Sequence, residues 1–100
     1  EAMFGSIGKF TAQPGTRDDL VAILVQAADD LRSNPACVAY VVGTGEEPEA
    51  IWVSEVWTDK AAHASSLEPP AVRALIERAM PLIAGISDQT DLRIVGGKGV

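Results

Sequence analysis

Three side chains of this 100-residue sequence have the types and spacing to act together chemically: Glu55, Trp57 and His63, within Glu55-Val56-Trp57-Thr58-Asp59-Lys60-Ala61-Ala62-His63. Successive side chains of a strand point to opposite faces, so Glu55 and Trp57 share one face at the strand's end. His63 then falls about one turn into the helix that follows. A carboxylate, an indole and an imidazole gathered at one end of a sheet can accept a proton and wall a flat substrate. Each also has a plainer role available. Glu55 can pair with Lys9 or Arg93 from neighbouring strands, Trp57 can pack in a core or interface, and His63 can lie in solvent or cap a helix.

Conventional catalytic signatures are missing: no GxSxG elbow, P-loop, GxGxxG or HExxH occurs. One cysteine, Cys37, and one histidine cannot assemble a structural zinc site, and no metal is expected. Cys37 sits in an apolar run and reads as inert packing. The Gly96-Gly97-Lys98-Gly99 run precedes no helix, so it reads as a tail rather than an anion-binding loop.

The elements that must position these groups follow from pattern. Phe4 to Thr11 reads as a strand, ended by Gln13-Pro14-Gly15. Thr16 is an expected N-cap, with Asp18 and Asp19 favourably placed in the first helical turn. Leu20, Ile23, Leu24, Ala27 and Leu31 recur at helical spacing until Asn34-Pro35 stops the helix. Cys37 to Val42 and Ile51 to Trp57 are β-prone and read as a hairpin closed by the acidic loop Gly43 to Glu49. A short helix from Thr58 or Asp59 breaks near Ser65 and Ser66. Pro69 and Pro70 suit a second helix start, and Val72, Leu75, Ile76 and Ala79 supply its apolar stripe. Asp91 to Val95 is the last strand expected. The order β-α-β-β-α-β is the ferredoxin-like α+β arrangement: a four-stranded antiparallel sheet with both helices on one face. Residues 3–95 are read as one domain, with 96–100 a C-terminal tail.

The strands are apolar on both faces. Ile51, Val53 and Trp57 share one side and Trp52 and Val56 the other; Val38, Tyr40 and Val42 oppose Cys37, Ala39 and Val41. Such a sheet needs both faces covered, and two sheets paired across a twofold axis would cover them. A homodimer is therefore expected. A composition of 47% hydrophobic and 22% charged residues is that of a globular chain. The net charge of −6, with scattered basic residues, argues against a conventional nucleic-acid or anionic-membrane binder. With no signal-peptide-like or membrane-length apolar stretch, a cytoplasmic location is expected.

In these features the sequence resembles the antibiotic biosynthesis monooxygenase domains, the dimeric α+β barrel group that includes small quinol monooxygenases. The resemblance is carried by Gly8-Lys9-Phe10 before Pro14-Gly15, by Glu55-x-Trp57 followed by His63, by Pro81-Leu82-Ile83-Ala84-Gly85, and by the Gly96-Gly97-Lys98-Gly99 end. It implies a homodimer with a small pocket between sheet and helices. It also implies a cofactor-independent oxidation, in which an aromatic phenol or quinol loses a proton and then reduces dioxygen itself. His63 would accept the proton, Trp57 would wall the substrate, and Glu55 would orient a neighbour. Tyr40, Val53 and Ser66 would contact the substrate. Ser66 stands where many relatives carry a second histidine, and Pro70 where another often follows. Haem-degrading relatives carry an asparagine where this chain has Gly8, so haem degradation is disfavoured. A ligand-binding barrel without turnover and a non-redox cyclase or isomerase use the same kind of pocket and remain the alternatives.

Overall fold

The computed structural model describes residues 2–100. Strand β1 (Met3–Ala12) leads through a turn at Gly15 (φ +78°) into helix α1 (Arg17–Asp30). Strands β2 (Cys37–Thr44) and β3 (Ala50–Trp57) form the hairpin. The short helix α2 (Lys60–Ser65), helix α3 (Pro70–Ala79) and the long strand β4 (Ile83–Ile94) complete the chain. The sheet order is β2-β3-β1-β4, with every neighbouring pair antiparallel. This is the ferredoxin-like α+β fold, and no helix among the described residues is long and apolar enough to cross a membrane.

The core occupies one end of the helix-covered face. Leu20, Ile23 and Leu24 of α1 bury there against Ala12, Ile51, Val53 and Ala79, with Phe10, Tyr40, Val42, Leu75 and Leu82 around them. The three- and four-residue spacing of the α1 stripe produces this contact, because those positions lie on one face of a helix. The stripe's outer members, Ala27 and Leu31, are only half-buried. The opposite end of that face, where β3 finishes, carries the polar groups.

Four features depart from the sequence expectation. Strand β4 begins at Ile83 rather than at Asp91. It is an edge strand exposed along most of its length, so burial imposes no alternation on residues 84–93. Thr16 does not cap α1 with its side chain; its Oγ1 donates instead to the carbonyls of Gln13 (2.8 Å) and Leu82 (3.2 Å), pinning the β1–α1 turn to the start of β4. A bulge in β2 between Cys37 and Ala39 puts Cys37 opposite Trp57 and Tyr40 opposite Glu55, so Cys37 joins Tyr40 on the helix-covered face. Lys9 lies on the other face, bonded to Glu47 at 3.3 Å and set over the Trp52 ring, and does not pair with Glu55.

Candidate active site

Antiparallel register lines up the helix-covered face in rows. Tyr40 stands opposite Glu55, Glu55 opposite Ser6, and Ser6 opposite Asp91; the next row toward the sheet's end runs Cys37, Trp57, Phe4, Arg93. Directly opposed residues are close enough for their side chains to interact. Strand pairing thus makes a polar band across all four strands, closed at the end by two aromatic rings.

Helix α2 brings His63 down onto this band. Asp59 has extended backbone and caps the helix by accepting from the Ala62 amide at 2.7 Å, so one orphan N–H is satisfied and the first turn is fixed. Ser66 Oγ donates to the His63 carbonyl at 2.6 Å and closes the helix's other end. The His63 imidazole stands edge-on to Trp57 (ring centroids 5.5 Å apart) and tilted against Phe4 (5.4 Å). Its Nε2 lies 3.6 Å from Glu55 Oε1. The same carboxylate oxygen accepts from Trp57 Nε1 at 3.0 Å. Trp57 is 1% exposed, so the indole is a fixed donor that orients Glu55, and Glu55 in turn faces the imidazole. The sequence-predicted trio is brought together in one chain of contacts.

The remaining expected contacts are divided. Tyr40 packs against the core and faces Glu55 across the hairpin. Burial, then the charge of Glu55, then Cys37, hold its phenol well above the ordinary value. Cys37 is half-buried, and burial followed by the Glu55 charge also raises its thiol, which keeps it protonated and poorly nucleophilic. Val53 lies within the core cluster at 4% exposure. Ser66 spends its hydroxyl on the helix end. Sequence reasoning missed Phe4, which holds one side of the imidazole, and Ser6, a buried hydroxyl in the centre of the band. Their signal was present: both fall on the face of β1 shared with Phe10.

Beside the cluster lies an open cleft of about 450 Å³, with Phe4, Asp59, Lys60, Leu92 and Arg93 among its walls. Lys60 bridges its mouth, 3.4 Å from Asp91 and over the Phe4 ring. Phe4 is the element common to cleft and imidazole. A smaller cleft at the core end is walled by Gly15, Arg17, Asp18, Pro48 and Glu49 and is remote from this chemistry. Among the described residues no group of three or more His, Cys, Asp and Glu side chains is arranged to hold a metal ion.

The profile of the antibiotic biosynthesis monooxygenase family matches residues 3–78, from the first residue of β1 to near the end of α3. The chain belongs to that family. A crystal structure from Chloroflexus aurantiacus that carries the family's name is 43% identical, superposes with a TM-score of 0.88, and is matched over 96% of each chain. Another bearing the name, from Caulobacter crescentus, is 19% identical with a TM-score of 0.86 over 96% of this chain and 92% of that one. SnoaB, a cofactor-independent oxygenase from Streptomyces nogalater solved as a mutant, is 14% identical with a TM-score of 0.81 over 98% of each chain. At that identity the likeness to SnoaB speaks for the fold alone. No curated protein matches the chain significantly. The family is named for oxygen chemistry, and this chain gathers a carboxylate and an imidazole beside two aromatic rings.

Proposed function

We propose that the protein is a cofactor-independent monooxygenase that oxidises a small aromatic phenol or quinol with dioxygen. The observation that carries the reading is the Trp57–Glu55–His63 chain, 3.0 Å and then 3.6 Å, ending in an imidazole that is one quarter exposed. A substrate hydroxyl meeting His63 loses its proton to the imidazole, and Glu55 stabilises the imidazolium that forms. The phenolate is the electron-rich species that reduces dioxygen. A phenol with a free ring position and one dioxygen give one quinone and one water: one oxygen atom enters the ring and the other leaves with two protons. The protein supplies orientation, proton transfer and a site poor in water.

The sheet is covered by a second copy of the chain in this reading. On the sheet face away from the helices, Ile7, Val41, Trp52 and Leu92 form an apolar surface, each between 37% and 58% exposed. A surface of that kind on a single subunit favours association, and the twofold pairing of sheets covers it. Sedimentation at micromolar concentration is expected to give a dimer; a stable monomer would remove this part of the proposal.

The activity is tested by dissolved-oxygen uptake of the metal-stripped protein against a panel of quinols and naphthols, beside His63→Ala. Uptake above the autoxidation rate, reduced in the variant by about 10²-fold or more, is expected for loss of a general base. Tight binding of the same compounds without uptake would instead favour a binding module, and turnover without oxygen consumption a cyclase or isomerase.

A further inference from the structure

Ser6 is a buried polar residue in the middle of the sheet, 4% exposed. Its Oγ accepts a hydrogen bond from Gln89 Nε2 at 3.0 Å. Reaching Ser6 takes Gln89 two departures from regular structure. Strand β4 is bulged where the β1–β4 register slips between Ile7 and Lys9, and Asp88, immediately before Gln89, has φ +53°, a left-handed conformation. Bulges re-aim side chains, and here the bulge swings Gln89 across β1. Room for it exists because residue 8 is glycine: a Cβ on Gly8 would stand 3.0 Å from Gln89 Cδ and closer still to Oε1. A strained residue, a glycine and a buried serine thus converge on one exposed carboxamide. Packing alone would be served as well by an apolar side chain on regular backbone, without the cost of the strained conformation.

The carboxamide has capacity to spare. Nε2 is held by Ser6, while Oε1 and the second amide hydrogen make no hydrogen bond within the described residues. No helix packs extensively on β4, and Ile86, Gln89 and Asp91 on its helix side are all exposed, so the carboxamide can be reached from that side. Glu55, with His63 over it, stands on β3; Gln89 stands on β4; β1 lies between them. Two strand spacings separate these hydrogen-bonding poles by roughly 10 Å.

We propose that Gln89, locked through Ser6, is a specificity-determining residue that binds a neutral hydroxyl or carbonyl at the end of the substrate remote from the hydroxyl meeting His63. This rests on the reading under which a substrate hydroxyl meets His63 on the helix side of the sheet, though not on what reaction follows. Binding is therefore measured without turnover, by quenching of tryptophan fluorescence under anaerobic conditions. The probes are 1-naphthol and 1,5-dihydroxynaphthalene, which differ only in the distal hydroxyl. The native protein is expected to prefer the diol by about tenfold, the worth of one good hydrogen bond. In Gln89→Leu, and in Gly8→Ala, which displaces the carboxamide without altering its chemistry, the ratio of affinities falls to about one. An absent preference in the native protein, or a ratio unchanged in either variant, overturns the assignment. Oxygen uptake measured separately keeps the two proposals apart. A Gln89-dependent preference without uptake retains this assignment and removes the oxygenase, and His63-dependent uptake without the preference does the reverse.

Discussion

Replacing Trp57 by phenylalanine tests the contact that the candidate site depends on. Trp57 is 1% exposed and its Nε1 donates to Glu55 at 3.0 Å. The variant deletes the donor and leaves a half-buried carboxylate with one partner fewer. Hydrogen bonds to charged groups contribute about 1.5–3 kcal/mol, and the lost ring volume adds on the order of 1 kcal/mol of cavity cost. The expected destabilisation is therefore about 2–4 kcal/mol, against a total of roughly 5–15 kcal/mol for a domain, so the variant still folds. The hydrogen bond is separated from the cavity by a cycle with Glu55→Leu, which orphans the indole N–H instead. When both partners are gone neither group is left unpaired, so the double variant should be less destabilised than the sum of the singles by about 2 kcal/mol. Urea unfolding at one fixed protein concentration measures all four proteins, the concentration being held because association would shift apparent stability. Additivity within about 0.3 kcal/mol would refute the reasoning: the indole would then not hold Glu55, and the orientation of the carboxylate toward His63 would need another cause.

Asp59→Ala removes the cap of α2 and is expected to cost about 1 kcal/mol, a fall in melting temperature of roughly 4–8 °C by calorimetry, while Asp59→Asn retains most of it. Gly5→Ala sets a Cβ 2.7 Å from Ile94 Cδ1 and 3.3 Å from Leu92 Cβ, so urea unfolding should show a loss of about 1–3 kcal/mol; no loss would mean that β4 yields freely. Tyr40 is the chain's one tyrosine, so tyrosinate absorbance titrates it alone. Its folded value is raised, chiefly by burial, so between its unfolded value and its folded one the native state binds the extra proton; stability is fully present below the unfolded value and falls as pH climbs above it. Native protein should therefore ionise well above the urea-unfolded chain, and Tyr40→Phe should flatten that part of the stability profile.

What was legible in the sequence is what period and punctuation encode. The alternation through Ile51, Val53, Glu55 and Trp57 placed four side chains on one face, and the Asp59 start placed His63 one turn later; both depend on local geometry that burial enforces. What escaped depends on pairing between distant strands. Nothing near Ser6 says that it will stand opposite Glu55 and beneath Gln89, because that register is set by β3 and β4. The bulges near Val38 and Asp88 escaped for the same reason, since a bulge is a property of two strands and the sequence displays one at a time. The first half of β4 was hidden because an exposed edge strand has no hydrophobic period to read. Lys9 stood as one of two possible partners of Glu55 by adjacency of strands alone. Alternation puts it on the other face, where Glu47 and Trp52 receive it.

The division of the sheet into two faces and two ends explains how a chain with a single histidine can hold it in a defined place. The core end, around Leu20 and Ile51, supplies rigidity from large buried apolar groups and needs no polar partners. That frees the other end to bury Ser6 and Trp57 and half-bury Glu55, each of which costs free energy unless bonded. Each is bonded: Ser6 by Gln89, and Trp57 and Glu55 by one another. The bonds that satisfy these groups are also the ones that aim them, since a buried donor with one available acceptor has one orientation. His63 differs from them. Its side chain is 25% exposed, its ring is gripped by Phe4 and Trp57, and its Nε2 approaches Glu55 without closing to a short hydrogen bond. The proposed exchange of a proton with a substrate asks for a base held by shape, with a ring nitrogen not saturated by hydrogen bonds. The imidazole is the member of this cluster that is held that way.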